Sequence, residues 1–481
     1  MQVLFVTSEI APLIKTGGLA DVSAALPAAL RAMNVDVRIL LPGYPQVLKT
    51  LTNLRVAADF PALPGFPPAR LLVDSLPNGI PLWVIECPKL YQRGGGAYQN
   101  EAGLDWPDNA HRFGLLSKIA AILSCAETPL DWKPDVVHCN DWQTGLTPAF
   151  LHFADSAAPC VMTVHNIAFQ GIFPSSLSAK LGLPAVCFQP EGVEFYGDLS
   201  FMKAGLYYAD HITTVSPAYA REIQTVALGF GLHGLLIHKR QVLTGILNGI
   251  DTREWDPAVD PHLTQPYDIT NLQDKSTSKR ALQNCMGLHT DDKIPLLGLV
   301  GRFTQQKGLD LLLQVAPQLI ALPAQLVLLG SGDPELERAA LELADQYPRQ
   351  VAAFVGFEES LAHMIEAGSD IFLMPSRFEP CGLSQLYSQR YGTPPVVHAT
   401  GGLIDTVVNY STASLAHGSA SGFVFNSMDA PSLLAAVRRA VAVYQDKKMW
   451  QQLQRNCMSK DFSWRRSAAA YHNIYSKLMR R

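Results

Sequence analysis

The sequence predicts an α/β protein built from two doubly wound domains. Two observations lead to this prediction. The chain has 481 residues, more than one ordinary hydrophobic core accommodates, and its strand-like runs alternate with helix-like segments in two separate series. Doubly wound sheets bind ligands beyond the carboxyl ends of their strands. We therefore expect a central cleft between the two domains, with the functional residues placed just after strands.

The first series extends to about residue 240. Its runs are apolar or β-branched, and helix-like segments separate them, as expected for a parallel sheet with helices on both faces. They are "QVLFVTSEI", "DVRILLP", "LWVIECP", "PDVVHCN", "PCVMTVHN" and "HITTVSP".

The second series begins near residue 294 and shares this rhythm without a residue-level repeat. Its runs are "IPLLGLVGR", "AQLVLLGSG", "VAAFVGF", "DIFLMPS" and "PPVVHAT". The stretch 248–275 between the two series is polar and broken by prolines. We therefore expect domains at residues 1–243 and 244–457.

Residues 458–481 include an amphipathic segment, "DFSWRRSAAAYHNIYSKLMRR". At helical spacing, Trp464, Ala468, Tyr471 and Tyr475 fall on one side. Such a stripe favours packing over ligand contact.

Composition excludes several classes of protein. Hydrophobic residues make up 48% and charged residues 17%, and the formal net charge is −4. A nucleic-acid partner would require a basic face, so none is expected. The eight cysteines are scattered without a Cys-x-x-Cys pair, which argues against a zinc site or disulfide scaffold and favours a reducing cytoplasm. We also expect no signal peptide and no membrane span.

The octapeptide "KTGGLADV" lies between the first strand and an alanine- and leucine-rich helix. Glycine lets the backbone approach a ligand, and a helix start offers free N–H groups. Gly17 and Gly18 therefore suit an anion such as phosphate, to which Lys15 would add a positive charge. A tight turn with a solvated lysine explains the octapeptide equally well.

Two polar motifs follow later strands of the first series. In "HCNDWQTGL", Asp141 and Trp142 pair a carboxylate with a flat apolar surface, which suits a sugar. An N-cap aspartate beside a packed tryptophan is a slightly better explanation of that motif alone. In "TVHNIAFQG", His165 and Asn166 stand at a strand end, where a polar pair suggests ligand contact.

The second series offers cations and a carboxylate. "GRFTQQKGLD" places Arg302 and Lys307 on a strand-to-helix loop, which resembles a phosphate clamp, although a solvated loop is the more common case. "PSRFEPCGLSQL" places Glu379 in a loop bounded by Pro380 and Gly382. "ATGGLIDTV" repeats the arrangement of strand, glycine pair and helix.

Absent motifs narrow the function. No G-x-G-x-x-G follows the first strand and no Walker sequence occurs, which argues against a nicotinamide dehydrogenase and a P-loop nucleotidase. No convincing Asp-x-Asp pair stands at a strand end. We therefore expect no metal and no other cofactor.

The ordered set of motifs resembles the bacterial glycogen synthase family, the ADP-glucose type of the starch and glycogen synthases. The set is "KTGGLADV", "HCNDWQTGL", "TVHNIAFQG", "NGID", "GRFTQQKGLD", "PSRFEPCGLSQL", "TGGLIDTV" and "DFSW". The resemblance covers essentially the whole chain. It implies the GT-B architecture, two Rossmann-like domains facing a cleft, with the terminal helix packing back on the first domain.

The resemblance also implies an activity: transfer of glucose from ADP-glucose to the non-reducing end of an α-1,4-glucan such as glycogen, with retention of configuration and release of ADP. Its catalytic residues are then His165 beside the transferred glucose, Glu379 on the other side of the sugar, and Asp141 facing the sugars. The implied substrate-binding residues are Lys15, Gly17, Gly18, Tyr98 of "GGGAYQN", Asn166, Asn248, Arg302, Lys307, Cys381 and Gly382.

The sequence leaves alternatives open. Many retaining relatives carry a second glutamate eight residues after the first, where this chain has Tyr387, so a ribose contact borrowed from distant relatives is in doubt. A UDP-glucose enzyme, a phosphorylase-like enzyme with pyridoxal phosphate and a non-enzymatic glucan-binding protein are rival functions. Two mechanisms would retain the configuration. In one, a covalent glucosyl-enzyme forms; in the other, the acceptor attacks the sugar from the face that the phosphate leaves.

Overall fold

The computed structural model describes residues 1–61 and 63–480, which form two compact units. Unit 1 consists of Met1–Gly249 together with the final helix, and unit 2 consists of Ile250–Ser463. The boundaries between the two units, at 249/250 and 463/464, lie a few residues after the expected domain ends at 243 and 457. The reason is that the strand Leu243–Gly245 still pairs within the unit 1 sheet, and Met458 still packs in a unit 2 core.

Among residues 1–61 and 63–249, unit 1 contains twelve strands and nine α-helices. Its strands are β1 (Gln2–Val6), β2 (Asp36–Pro42), β3 (Arg55–Phe60), β4 (Ala69–Ser75), β5 (Pro81–Glu86), β6 (Val136–Asn140), β7 (Cys160–Val164), β8 (Ile172–Phe173), β9 (Glu194–Phe195), β10 (Asp198–Ser200), β11 (His211–Thr214) and β12 (Leu243–Gly245). Its helices are α1 (Gly18–Arg31), α2 (Pro45–Thr50), α3 (Pro88–Tyr91), α4 (Asn109–Ile122), α5 (Leu146–His152), α6 (Leu177–Lys180), α7 (Phe201–Tyr208), α8 (Pro217–Glu222) and α9 (His233–His238).

The main sheet of unit 1 has the order β12-β11-β7-β6-β1-β2-β5-β4-β3. Strand β1 is central, and Val3, Leu4, Phe5 and Val6 are fully buried because helices cover both faces of a parallel sheet. From β1 the chain proceeds to β2 on one side, and β6 continues on the other side. The boundary between β1 and β6 is therefore the topological switch point of this sheet.

One edge of this sheet departs from the expected parallel arrangement. Strands β3, β4 and β5 pair antiparallel, whereas the other pairs are parallel. The connection between β4 and β5 is a short turn at 76–80, and a connection of that length joins only antiparallel neighbours. Gly79 adopts a φ of +77° in this turn.

Over its described residues 250–463, unit 2 contains six strands and nine α-helices. The strands are β13 (Leu296–Val300), β14 (Gln325–Gly330), β15 (Val351–Val355), β16 (Ile371–Met374), β17 (Pro395–His398) and β18 (Phe423–Phe425). The helices are α10 (Lys275–Cys285), α11 (Leu309–Ile320), α12 (Pro334–Gln346), α13 (Glu359–Gly368), α14 (Ser384–Arg390), α15 (Gly401–Thr406), α16 (Thr412–Ala416), α17 (Ala430–Tyr444) and α18 (Lys447–Met458).

The unit 2 sheet is parallel throughout, with the order β15-β14-β13-β16-β17-β18. Its switch point lies between β13 and β16. Apolar cores cover the two faces of the sheet, one around Leu297 and Leu328 and the other around Leu296 and Phe372. All five strand-like runs of the second series form strands.

The final helix, α19 (Trp464–Leu478), belongs to unit 1. All four residues of its predicted apolar stripe are buried. Tyr475 Oη lies 2.7 Å from Nδ1 of His138 in β6, so the helix is joined to the centre of the sheet by a buried hydrogen bond as well. Within the described part of the chain, no helix combines the length and hydrophobicity needed to cross a membrane.

Candidate active site

Several of the candidate residues lie at the two switch points. In unit 1, the loop after β1 carries Lys15 and Gly17 and leads into α1 at Gly18, and the segment after β6 begins with Asp141. In unit 2, the loop after β13 carries Arg302 and Lys307, and the loop after β16 carries Glu379. Neighbouring strands whose connections leave in opposite directions open a crevice at their carboxyl ends, which is where α/β sheets bind ligands.

Glu9 organises the unit 1 loop, although the sequence analysis assigned it no functional role. The Thr16 N–H donates to its Oε2 at 2.5 Å and the Gly17 N–H at 3.2 Å. The Tyr98 hydroxyl donates to Oε1, and Ser8 Oγ lies 2.8 Å from that hydroxyl. Burial raises the pKa of Glu9, and these hydrogen bonds oppose the rise. One buried carboxylate therefore fixes both the glycine loop and Tyr98.

Gly17 precedes α1 with space beside it. A Cβ added there would meet no atom within 4 Å, and its φ of −159° is open to any residue. Neither packing nor backbone geometry requires glycine at this position. Lys15 Nζ forms an ion pair with Asp21 Oδ1 at 2.7 Å on the first turn of α1, so it is a partnered lysine rather than a merely solvated one.

Asp141 adopts an unusual backbone conformation, with a φ of 57°. Non-glycine residues held in this region are strained and are common at functional sites. Its Oδ1 accepts from the N–H of His165 at 2.9 Å and lies 3.4 Å from the N–H of Asn166. Burial raises the pKa of Asp141 to about 7 against these hydrogen bonds. The alternative of an N-cap aspartate does not apply, because its side chain does not cap the short 3₁₀ helix Trp142–Thr144.

Trp142 is a packing residue. Its ring centroid lies 5.0 Å from that of Phe113 and 5.9 Å from that of Phe173. A Cβ at Gly171 would come within 2.3 Å of the indole. The packed-tryptophan alternative is therefore the correct one for this residue.

His165 is a neutral imidazole. Burial lowers its pKa to about 3. Nε2 lies 3.0 Å from Oδ1 of Asn140, whose Nδ2 donates to the Val6 carbonyl at 2.9 Å. Because the Oδ1 atom of Asn140 can only accept a hydrogen bond, the Nε2 atom of His165 carries the proton and Nδ1 is left as an acceptor. Asn140 is the second residue that the sequence analysis missed.

In unit 2, Lys307 and Glu379 form an ion pair. Lys307 Nζ lies 2.6 Å from Glu379 Oε2, and Ser376 Oγ donates to the same oxygen at 3.0 Å. The carboxylate side chain is 7% exposed and the lysine 25%. Gly308 brings the two loops together, because its φ is +72° and a Cβ there would lie 1.9 Å from the Pro375 carbonyl oxygen. The alternative that Lys307 is simply a solvated loop residue is therefore wrong.

Arg302 is more exposed than Lys307. Its Nη2 lies 3.4 Å from Oε1 of Gln306, and the Gln306 amide donates to the Phe378 carbonyl at 3.3 Å. Arg302 is therefore linked only indirectly, through Gln306, to the loop that carries Glu379.

The second glycine pair supports the same loop. The Gly402 N–H donates to the Glu379 carbonyl at 3.0 Å, and a Cβ at Gly402 would lie 2.1 Å from the Cys381 carbonyl oxygen. Gln385 Nε2 donates to the carbonyls of Cys381 and Gly382 at 3.0 Å each. The backbone around Glu379 is thus fixed from both sides.

The structure thus connects the candidates in two sets. Glu9 and Asp141 link the unit 1 candidates, and the Lys307–Glu379 pair with its supporting loop links those of unit 2. Asn248 belongs to unit 1 and is buried, and its Oδ1 has no hydrogen-bond partner among residues 1–61 and 63–480.

Family models match both parts of the chain. The starch synthase catalytic domain matches residues 2–238, and the glycosyl transferases group 1 model matches residues 287–456. Among curated proteins, glycogen synthase of Nitrosomonas eutropha is 58% identical over 100% of this chain and 97% of its own length. Glycogen synthase of Nitrosomonas europaea is 56% identical over 100% and 98%.

Solved structures agree with these matches. The catalytic domain of starch synthase IV from Arabidopsis thaliana, bound to ADP and acarbose, is 32% identical with a TM-score of 0.90 over 100% of this chain and 99% of that one. Sucrose-phosphate synthase from Thermosynechococcus elongatus, 18% identical with a TM-score of 0.62 over 99% and 98%, shows the fold alone. The predicted GT-B fold class and glucosyltransferase class are confirmed, and the chain belongs to the glycogen synthase family.

Proposed function

We propose that this chain transfers glucose from ADP-glucose to the non-reducing end of an α-1,4-glucan such as glycogen, retaining the α configuration and releasing ADP. Elongation of such glucans is the activity of its family. The observation that carries the proposal is the Lys307–Glu379 pair, with 2.6 Å between Nζ and Oε2. It places a cation and a buried carboxylate together at the unit 2 switch point, where a nucleotide sugar presents a diphosphate beside sugar hydroxyls.

Three cations bind the diphosphate in this proposal: Arg302, Lys307 and Lys15. Cleavage of the bond between glucose and phosphate concentrates negative charge on the departing ADP. Fixed cations and helix-terminal N–H groups stabilise that charge without reorganisation. The open space beside Gly17 and the start of α1 at Gly18 support a contact between this loop and the donor. The side chains supply the charge, so the reaction needs no metal.

The remaining candidates position the sugars. Glu379 aligns the transferred glucose through its hydroxyls, with the backbone of Cys381 and Gly382 beside it. Neutral His165 offers its Nδ1 acceptor to a sugar hydroxyl, and Asp141 positions His165 through the 2.9 Å hydrogen bond to its N–H. Further proposed substrate-binding residues are Tyr98, Asn166 and Asn248.

Retention is proposed to proceed by attack from the face that the phosphate leaves. The acceptor 4-hydroxyl oxygen forms the new bond to the anomeric carbon as the bond to the phosphate oxygen breaks, and the hydroxyl proton passes to that phosphate. The rival covalent mechanism needs a carboxylate nucleophile about 5 Å from its acid partner. Glu379 is engaged by Lys307 and Ser376, which favours the first route.

Turnover of labelled ADP-glucose with glycogen tests the function. We expect incorporation of label into α-1,4-linked glucan without pyridoxal phosphate, and a higher kcat/KM for ADP-glucose than for UDP-glucose. Phosphorolysis of glycogen would favour a phosphorylase, preference for UDP-glucose would favour the rival donor, and glucan binding without turnover would favour a binding protein.

The cytoplasm is the proposed location. All eight cysteines are free thiols, which suits a reducing compartment. Fractionation of the native host with an antibody against the chain tests this location.

A further inference from the structure

We propose that unit 2 contains a binding site for a divalent metal ion of the zinc type, formed by Glu254, Glu359 and His363. The proposed function gives none of these residues a role. The site stabilises the protein and takes no part in glucosyl transfer.

The three side chains converge. Glu359 and His363 lie four residues apart on α13, so they share one face of that helix. Glu254 comes from the segment that opens unit 2. One ligand atom from each of the three lies within 4.8 Å of the other two. Ligand atoms on one tetrahedral zinc are about 3.3 Å apart. Both glutamates are exposed, so a bound ion would have to draw their oxygens to that spacing.

His363 supplies the second, independent observation. It is 1% exposed, and its Nδ1 lies 2.8 Å from Oδ2 of Asp260. Its Nε2 has no hydrogen-bond partner within the described ranges 1–61 and 63–480. A buried polar atom without a partner costs about 1–3 kcal/mol, so such atoms are rare unless a ligand satisfies them.

The protonation of His363 follows from its partner. Asp260 also accepts from the Tyr391 hydroxyl at 2.5 Å and from the His262 N–H at 2.8 Å, as an ionised carboxylate does. Nδ1 of His363 therefore carries the proton, and Nε2 retains its lone pair for a metal. Histidine ligands in metalloproteins are commonly held in this way, with one nitrogen donating to a carboxylate and the other on the metal.

Packing fixes the ring in this orientation. The indole of Trp255 stacks on His363 with ring centroids 3.9 Å apart and an angle of 14° between the planes. The imidazole is thus preorganised for an incoming ion.

The donor set selects the metal. One imidazole and two carboxylates suit zinc with a water as fourth ligand, whereas Mg²⁺ and Ca²⁺ prefer sites composed entirely of oxygen. A bound ion would join the segment around Glu254 to α13. Because it binds the folded chain in preference to the unfolded one, it would raise the melting temperature.

Calorimetric titration with Zn²⁺ tests the site. The full chain is purified without a histidine tag, stripped with chelator and studied with Cys285→Ser, since Cys285 is an exposed thiol and thiolates are zinc ligands. We expect one Zn²⁺ per chain. Affinity should fall at least tenfold in Glu254→Gln and in Glu359→Gln, and about 10–100-fold in Asp260→Asn through the histidine.

Glu358→Gln is the matched control, because Glu358 is an exposed neighbour outside the cluster. It should bind Zn²⁺ like the parent, and X-ray absorption of the parent complex should show an imidazole ligand. No zinc binding by the parent, or equal affinity in all variants, would overturn the site. Both readouts are independent of glucosyl transfer, so failure of the site leaves the proposed function standing.

Discussion

Replacement of Glu379 by glutamine tests the residue pair on which the proposed function rests. The carboxylate is 7% exposed and accepts from Lys307 Nζ at 2.6 Å and from Ser376 Oγ at 3.0 Å. Glutamine keeps the length of the side chain and one acceptor oxygen. It loses the charge that holds Lys307 and would align the glucosyl ring.

The magnitude follows from the burial of the pair. Breaking a fully buried ion pair costs about 3–5 kcal/mol and breaking an exposed one about 0–1 kcal/mol. Lys307 is 25% exposed, so we expect a loss of about 1–2 kcal/mol in the free energy of unfolding. Misalignment at the reacting centre should lower kcat about 100-fold, equivalent to about 2.7 kcal/mol in the barrier. Glu379→Ala should lose at least as much.

The assay is the initial rate at varied ADP-glucose and saturating glycogen, with the melting temperature as the control for folding. Lys307→Ala and the double variant complete a cycle. If Glu379 acts largely through Lys307, the double variant should be no slower than the slower single one. A kcat within threefold of the parent, in a cooperatively folded Glu379→Gln protein, would refute the assignment.

Further predictions concern the cations and the unit 1 carboxylates. Lys15→Ala should raise the KM for ADP-glucose severalfold and leave that for glycogen unchanged, whereas equal effects would make Lys15 structural. Exhaustive chelation should preserve kcat, and Arg302→Ala should lose activity severely without rescue by magnesium; activity that disappears with chelator and returns with metal would contradict the cationic clamp. Tyr98→Phe should raise the KM values and lower the melting temperature, because it removes the hydroxyl bound to Glu9; a variant identical to the parent in both readouts would refute this link. In the folded chain the pKa of Asp141 is about 7, so its carboxyl group stays protonated at pH values where the same group in the unfolded chain has lost its proton. Between about pH 4 and 7 the unfolded chain therefore binds fewer protons, and the free energy of unfolding falls as pH rises. Asp141→Asn should remove this component of the pH dependence in denaturant titrations, and an unchanged slope would contradict the raised pKa.

Much of the fold was predictable because parallel strands buried on both faces are continuous apolar runs, as in "QVLFV" and "IFLM". The positions of functional residues after strands were predictable for the same reason. The antiparallel edge was not, since Arg55–Phe60 is largely exposed and carries only a weak apolar pattern. The short turn that follows Ala69–Ser75 sets the antiparallel pairing of that strand with Pro81–Glu86.

The missed residues act over long sequence separations. Glu9 looks like an interruption of an apolar run, yet it binds a hydroxyl 89 positions away. Asn140 follows a buried strand, and its role depends on His165 and Val6 lying beside it in the folded sheet. The sequence does contain a signal for such residues, namely a charged or amide side chain at the carboxyl end of a central buried strand. Burial of such a side chain requires specific hydrogen-bond partners. Applied to "VTSEI" and "VVHCN", that rule would have selected both residues.

The two central carboxylates differ in environment, and this difference supports separate roles. Glu379 is bound to the ammonium group of a lysine and to the hydroxyl of a serine. Asp141 accepts from the backbone N–H groups of His165 and Asn166, and burial together with the nearby Glu9 raises its pKa to about 7. A carboxyl group that is only partly ionised at neutral pH is poorly suited to neutralise a cation, but its oxygen can still accept from the His165 N–H in either protonation state. Since burial of a single carboxyl group explains both its raised pKa and the fixed loop that it holds, Asp141 is better described as positioning His165 than as a nucleophile. This description removes the other obvious candidate for a covalent intermediate and leaves attack from the face of the departing phosphate as the mechanism that the arrangement favours.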